Sequence, residues 1–342
     1  MKLTYTEILD TLNALKKTGD LLEKQKVGIE EFFKDKKRFV FIGCGSSYSL
    51  AKSMAIMTHI ATGLPSTAMA AGDILLHAAR YEKCFREALV VCISRSGRTS
   101  ELLMALDALK SEGFSFSTAS LICADDTPLA LKSELTVSMP WAFDSSVCQT
   151  RSVTNFYFTA VYILAIMTKN RPLLDELHHL LNNGGEFLKK AENLADELSD
   201  RPWTHAVVLA DAELEGLAEE GALAFKEICQ LPSNYYHLLD VRHGPMVLLG
   251  EDTLVLAALG KKNELENKLL LDIKDKNSEL VVFSDIASES ISTGCITYDC
   301  ALSHVSAGIP FILLCQMIAY KKSLKTGADP DKPKGLEAWI KL

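Results

Sequence analysis

Two short apolar runs each pass through a turn of small residues directly into a helical pattern. RFVFIG leads by way of CGSSY into SLAKSMA, and LVVCIS leads by way of RSGRTS into ELLMAL. Runs this short and unbroken by polar residues read as strands buried on both faces. A strand followed at once by a helix rejoins its sheet in parallel, through a crossover that lays the helix on one face. The unit then repeats. Helices are expected at 46–62, 72–80, 98–111 and about 125–133, with strands near 65–70, 88–93, 117–122 and 135–139. This alternation predicts a parallel sheet covered by helices on both sides.

Ahead of the first strand, residues 4–36 carry a helical period through Ile8, Leu12, Leu15, Leu21, Leu22, Ile29, Phe32 and Phe33. A long apolar helix is expected at 152–169, followed by polar helices at 171–183 and 185–199. The Asn182–Asn183–Gly184–Gly185 run between those two reads as part of a joint between domains. Beyond it the alternation restarts, with strands at 205–210, 253–259, 279–285 and 295–299. Helices are expected there at 214–230, 262–275 and 310–325. A chain of 342 residues is long enough for two domains. The fold class is therefore α/β, two tandem doubly wound parallel-sheet domains with flanking helices. The expected division is N-terminal helices at 1–37, a first domain at 38–170 and linker helices at 171–200. A second domain at 201–330 and a tail at 331–342 complete it.

Formal net charge is −8, which argues against an extended nucleic-acid or anionic-membrane surface. The nine cysteines are scattered and never spaced C-x-x-C, so reduced thiols are expected rather than a disulfide framework or a zinc site. The opening MKLTYTEILDTLNALKK is amphipathic and lacks the apolar core of a signal peptide. No apolar run approaches the roughly 20 residues that span a bilayer. A cytoplasmic protein with no membrane or nucleic-acid partner is expected, and any anionic ligand must be held by local geometry.

The two turns offer such geometry. In open parallel sheets ligands bind beyond the carboxyl ends of the strands, where helix starts present unsatisfied N–H donors and partial positive charge. Gly45 lets backbone approach a ligand, and Cys44, Ser46, Ser47 and Ser49 crowd the first turn. Ser94, Ser96 and Thr99 supply the second, where Arg95 and Arg98 could add charge, although Arg98 is placed to point outward. Either turn alone is accounted for by N-capping. Two on one sheet suggest a neutral cradle for a single phosphate, since neither a dinucleotide fingerprint nor a P-loop is present.

The pair CGSSY and SRSGRTSE resembles the signature of the SIS (sugar isomerase) domain family, in which such turns bind the phosphate of a sugar phosphate. The similarity continues through SSVCQTRSVTNF, GLAEEGALAFKEICQ, VRHGPMVLL and DPDKPKGL, and so covers nearly all of the chain after residue 38. It points to the isomerase half of glucosamine-6-phosphate synthase and to two-SIS-domain isomerases, deaminases and deglycases. No counterpart of the synthase's glutamine-hydrolysing domain precedes residue 38. The resemblance implies that Val147, Gln149 and Thr150 lie near the sugar.

In the second half, Glu220 and Glu227 flank the apolar stripe of helix 214–230, seven residues apart. A carboxylate at such an edge loses solvation and gains basicity. A glutamate solvated or paired with Lys226 or Arg242 is the plainer account, and His243 alone reads as structural. The resemblance implies more: Glu227 and His243 match the family's catalytic pair, with the histidine reaching the site of a neighbouring subunit in a homodimer. Histidine would open the sugar ring and glutamate would carry a proton between carbons 1 and 2, with no metal or organic cofactor. Departures from the synthase are Ala224, where it has a lysine, and Ala338, aligned with its imine-forming lysine, with Lys334 and Lys341 nearby. Asp240 stands where glutamate is commoner. These favour a phosphosugar isomerase/deaminase acting on an amino-sugar 6-phosphate. The alternatives are a fructosamine-6-phosphate deglycase and a non-catalytic sugar-phosphate sensor.

Overall fold

In the computed structural model, which describes residues 2–260, 263–286 and 291–337, two parallel sheets of five strands account for every described strand. The first half runs α1 (Leu3–Phe33), β1 (Phe39–Gly43), α2 (Ser46–Thr62), β2 (Ser66–Ala70), α3 (Ala71–His77), α4 (Glu82–Phe85) and β3 (Ala88–Ser94). It continues with α5 (Ser100–Ser111), β4 (Phe116–Ile122), α6 (Pro128–Leu131), β5 (Leu135–Ser138) and α7 (Arg151–Met167). The strand order β2-β1-β3-β4-β5 is the doubly wound order of flavodoxin-like sheets. β1 and β3 are buried along their whole length, as strands covered on both faces must be. Val40, Ile42, Val90 and Cys92 pack on one face with Leu102, Ala105 and Leu109 of α5. On the other face Phe39, Phe41 and Val91 line a small cavity with Met54 of α2 and Ile163 of α7.

The second half contains α8 (Arg171–Ser199), β6 (His205–Leu209), α9 (Glu215–Ile228), β7 (Ser233–Tyr236) and β8 (Thr253–Ala258). α10 (Glu264–Lys274), β9 (Glu279–Ser284), β10 (Gly294–Thr297) and α11 (His304–Thr326) complete it. Its order, β10-β9-β8-β6-β7, read from the other edge, is the first sheet's order. The architecture is therefore repeated. α10 covers the face that carries Val207, Leu209, Val255 and Val282. Gly221 of α9 and Cys315 of α11 meet on the opposite face: a Cβ on Gly221 would stand 2.7 Å from the Cys315 sulfur and 3.5 Å from Val208.

The chain divides into two compact units. One holds residues 10–145 and 151–177; the other holds the described residues of 2–9, 146–150 and 178–336. Helices α1 and α8 each continue from one unit into the other.

Three local expectations are corrected. The Asn-Asn-Gly-Gly run does not interrupt the helix, because α8 continues through it for 29 residues. Asn183 stays helical while its amide donates to the His179 carbonyl at 3.0 Å, and buried Leu177, Leu180, Ala191, Ala195 and Leu198 hold the apolar stripe on either side. α11 begins at His304 rather than at Pro310, which sits inside it. Burial of almost every residue from Ser306 to Ala319 outweighs the missing hydrogen bond. β7, written SNYY, is an edge strand with too little apolar pattern to be read from sequence. No described helix is long and apolar enough to cross a membrane.

Candidate functional site

Because β1 and β3 are neighbours while α2 and α5 leave toward opposite faces, both serine turns lie at the point where the strand order reverses. In doubly wound sheets ligands bind at such a point, beyond the carboxyl ends of the strands. The register pairs Ile42 with Cys92, so the two turns start level.

In the first turn the chain bends too tightly for a side chain at Gly43: a Cβ would stand 2.5 Å from the Ser47 carbonyl carbon. Gly45 follows at φ 54°, a conformation glycine adopts at little cost, and serves as the N-cap of α2. The Cys44 carbonyl accepts the Ser47 N–H at 3.1 Å, and the Gly45 carbonyl accepts the Tyr48 N–H at 2.8 Å. No side chain caps this helix. Ser46 and Ser47 are only 5% and 4% exposed, and neither hydroxyl has a protein partner among the described residues. Capping therefore does not account for these serines. The Cys44 thiol is pushed up to about 11, by burial first and by the Glu101 carboxylate second, so it stays neutral near pH 7.

The second turn is braced from within. The Ser94 hydroxyl accepts the Gly97 N–H at 3.0 Å and lies 2.9 Å from the Thr99 hydroxyl, and Ser96 accepts the Arg98 N–H at 3.2 Å. Gly97, at φ 61°, packs so tightly that a Cβ would meet the Thr127 hydroxyl at 2.5 Å. Thr99 is the N-cap of α5 by backbone, with no side-chain cap bond. Arg98 is exposed and donates to the Asp126 carbonyl at 3.0 Å, in line with its expected outward direction. Arg95 is buried, its guanidinium over the Phe143 ring at 5.6 Å and 3.4 Å from the Asp144 carbonyl.

In the other unit, the last turn of α9 presents Glu227, half-buried, with Glu220 two turns earlier and 2% exposed. Lys226, directly before Glu227, has its pKa lowered by desolvation, while Glu219 and Glu227 pull it upward. Arg242 is not the partner of Glu227. Its Nε and Nη2 bind Asp272 at 2.7 and 2.6 Å. His243 stands exposed after a short turn, its N–H donated to the Asp240 carbonyl at 2.8 Å and Gly244 following at φ 122°. Val247 and Leu248, just beyond, are 85% and 50% exposed.

The segment holding Val147, Gln149 and Thr150 groups with this second unit. Burial alternates along it: Ser146, Cys148 and Thr150 are buried, whereas Val147 and Gln149 are part-exposed. The Val147 N–H donates to the Asp331 carbonyl at 3.2 Å, and buried Gln316 of α11 donates to the Thr150 carbonyl at 3.0 Å. The tail then reaches α9, where Gln230 donates to the Lys334 carbonyl at 2.8 Å. Ala338 and Lys341 lie outside the described residues. Sequence reasoning missed Gln230, Gln316 and Asp331, because each acts through a contact with a distant segment that leaves no local pattern.

The SIS domain family matches residues 32–167. The chain is 26% identical, over 96% of its length, to glutamine–fructose-6-phosphate aminotransferase (isomerizing) of Escherichia coli K12, and spans 57% of that protein's length. Among solved structures, glucosamine-6-phosphate deaminase of Thermotoga maritima is similar with a TM-score of 0.84 and 24% identity, covering 100% of both chains. Tagatose-6-phosphate ketose/aldose isomerase of Escherichia coli is similar with a TM-score of 0.84 and 19% identity, covering 98% of this chain and 96% of that one. At these identities the two structures speak for the fold.

Proposed function

We infer from a chain that carries an SIS domain, and is homologous to the isomerase half of glutamine–fructose-6-phosphate aminotransferase, that it is a phosphosugar isomerase/deaminase acting on an amino-sugar 6-phosphate. One observation carries the reading. Ser46 and Ser47 are two largely buried residues whose hydroxyls have no protein partner among the described residues, set at a helix start on the switch point of a parallel sheet. Hydroxyl and backbone donors there suit a compact dianion such as a phosphate ester. Cys44, Gly45, Ser94, Arg95, Ser96 and Thr99 complete the cradle, and Val147, Gln149 and Thr150 face the sugar.

In this reading His243 opens the ring by moving a proton between the ring oxygen and the anomeric hydroxyl. The Glu227 carboxylate takes the proton from carbon 2 of the opened aldose, and the electron pair moves into a carbon 1–carbon 2 enolamine. Return of the proton to carbon 1 gives a 2-imine, which water hydrolyses to the ketose phosphate and ammonia. With a hydroxyl at carbon 2, the same transfers interconvert aldose and ketose. Neither route requires a metal or organic cofactor. Ala338, aligned with the synthase's imine-forming lysine, and Ala224, where it has another lysine, together speak against an imine to the protein. The exposed His243, beside exposed Val247 and Leu248, fits a homodimer in which the histidine serves a second copy.

The test is a panel of glucosamine, galactosamine and fructoselysine 6-phosphates followed by proton NMR in D2O and by ammonia release. Ammonia, a ketose phosphate and deuterium at carbon 1 are expected, with turnover falling about a thousandfold in Glu227→Gln and binding retained. Release of an amino acid from the fructoselysine ester alone would make the protein a deglycase. Ligand binding with no turnover by the wild type would make it a sensor.

A further inference from the structure

Resting on the reading that Val147 and Gln149 face the sugar, we propose that Glu7 and Asp331 are positioning residues that set the 146–150 loop for its substrate. Both lie far from that loop in sequence and bind its consecutive residues Ser146 and Val147 within one compact unit. Glu7, on the second turn of α1, is 5% exposed, and its carboxylate accepts the Ser146 N–H at 3.2 Å and also the Ser146 hydroxyl. Asp331 works through two groups. Its carboxylate accepts the Leu3 N–H at 3.0 Å, the Thr4 N–H at 2.9 Å and the Thr4 hydroxyl at 2.9 Å, capping the first turn of α1 from the far end of the chain. Its carbonyl accepts the Val147 N–H at 3.2 Å.

The helix start, the tail and the loop thus form one hydrogen-bonded clasp. Consecutive amides of the loop, Ser146 and Val147, are held by its two arms, while Val147 and Gln149 keep their exposure on the opposite side. A carboxylate is retained in the interior only where donors satisfy it, and here the Ser146 N–H and hydroxyl are donors it accepts. The same tail accepts a hydrogen bond at Lys334 from Gln230, three residues beyond Glu227 in sequence. The serine turns belong to the other unit. The clasp should therefore govern recognition of the sugar and leave that of the phosphate alone.

The experiment compares wild type, Glu7→Ala, Asp331→Ala and the milder Ser146→Ala, all as full chains. Three quantities are read: amide hydrogen exchange at Ser146 and Val147, affinity for a straight-chain hexitol 6-phosphate, and affinity for inorganic phosphate. In the Glu7 and Asp331 variants, exchange at these two amides should rise at least tenfold. Hexitol phosphate affinity should fall about tenfold, with phosphate affinity unchanged within about twofold. Ser146→Ala should move the same quantities less. Equal losses for both ligands, or faster exchange with hexitol phosphate affinity intact, would overturn the positioning role. Unchanged exchange would overturn the clasp itself. A wild type that binds phosphate but no hexitol phosphate overturns the proposed function and, with it, the substrate role of the loop.

Discussion

The hydroxyls of Ser46 and Ser47 have no protein partner among the described residues, so the fold draws no hydrogen bond from either. In the proposed reading they serve the ligand rather than brace the fold. Ser47→Ala should leave the unliganded protein as stable as before or raise its Tm, while KM for a sugar phosphate rises about tenfold and kcat stays within about twofold. Initial rates and a thermal melt measure both, and a pure loss of kcat would remove this serine from the cradle. Ser94 stands in contrast, since its hydroxyl already braces Gly97 and Thr99. Ser94→Ala should lower Tm by an amount equivalent to about 1 kcal/mol, because it strands the Gly97 N–H. The serines look alike in the sequence, and only their partners separate the proposed ligand donors from structural ones.

At the scale of elements, β1 and α2 meet at Gly43, where even a methyl group would run into the backbone of Ser47. Gly43→Ala should displace the first turn of α2, cost about 1–3 kcal/mol and abolish phosphate binding; isothermal titration with inorganic phosphate would detect the loss. Helix α8 offers the opposite case. Gly185 has open space where a side chain would go and lies within a continuous helix. Gly185→Ala should stabilise the protein by about 0.5–1 kcal/mol through helix propensity and a less flexible unfolded chain. A flexible joint at this place would gain nothing, and a fall in Tm would argue against the continuous helix.

At the scale of the whole molecule, burial shifts several acids the same way. The thiols of Cys92 and Cys229 are pushed up to about 12 and that of Cys44 to about 11, and the Tyr298 hydroxyl to about 12, desolvation being the largest cause in each. These groups hold their protons more tightly folded than unfolded, so their contribution to stability is complete below about pH 9 and is lost as pH climbs toward about 12. Melts in reducing buffer should show Tm steady between pH 7 and 8.5 and falling ever more steeply above about 9, with a shallower fall for Cys92→Ala. A Tm unchanged at pH 11 would contradict that burial. By itself, the sequence determined the α/β class, the repetition of one architecture in two halves and the place of both serine turns. Each of these follows from local period and from small residues at strand ends. Tertiary structure alone decided that α8 runs through Asn-Asn-Gly-Gly, that among the described residues the Ser46 and Ser47 hydroxyls have no partner while that of Ser94 does, and that Arg242 pairs with Asp272. It also decided that Glu7 and Asp331 meet one loop. These outcomes depend on which distant groups compete for each donor, and a linear chain does not record that competition.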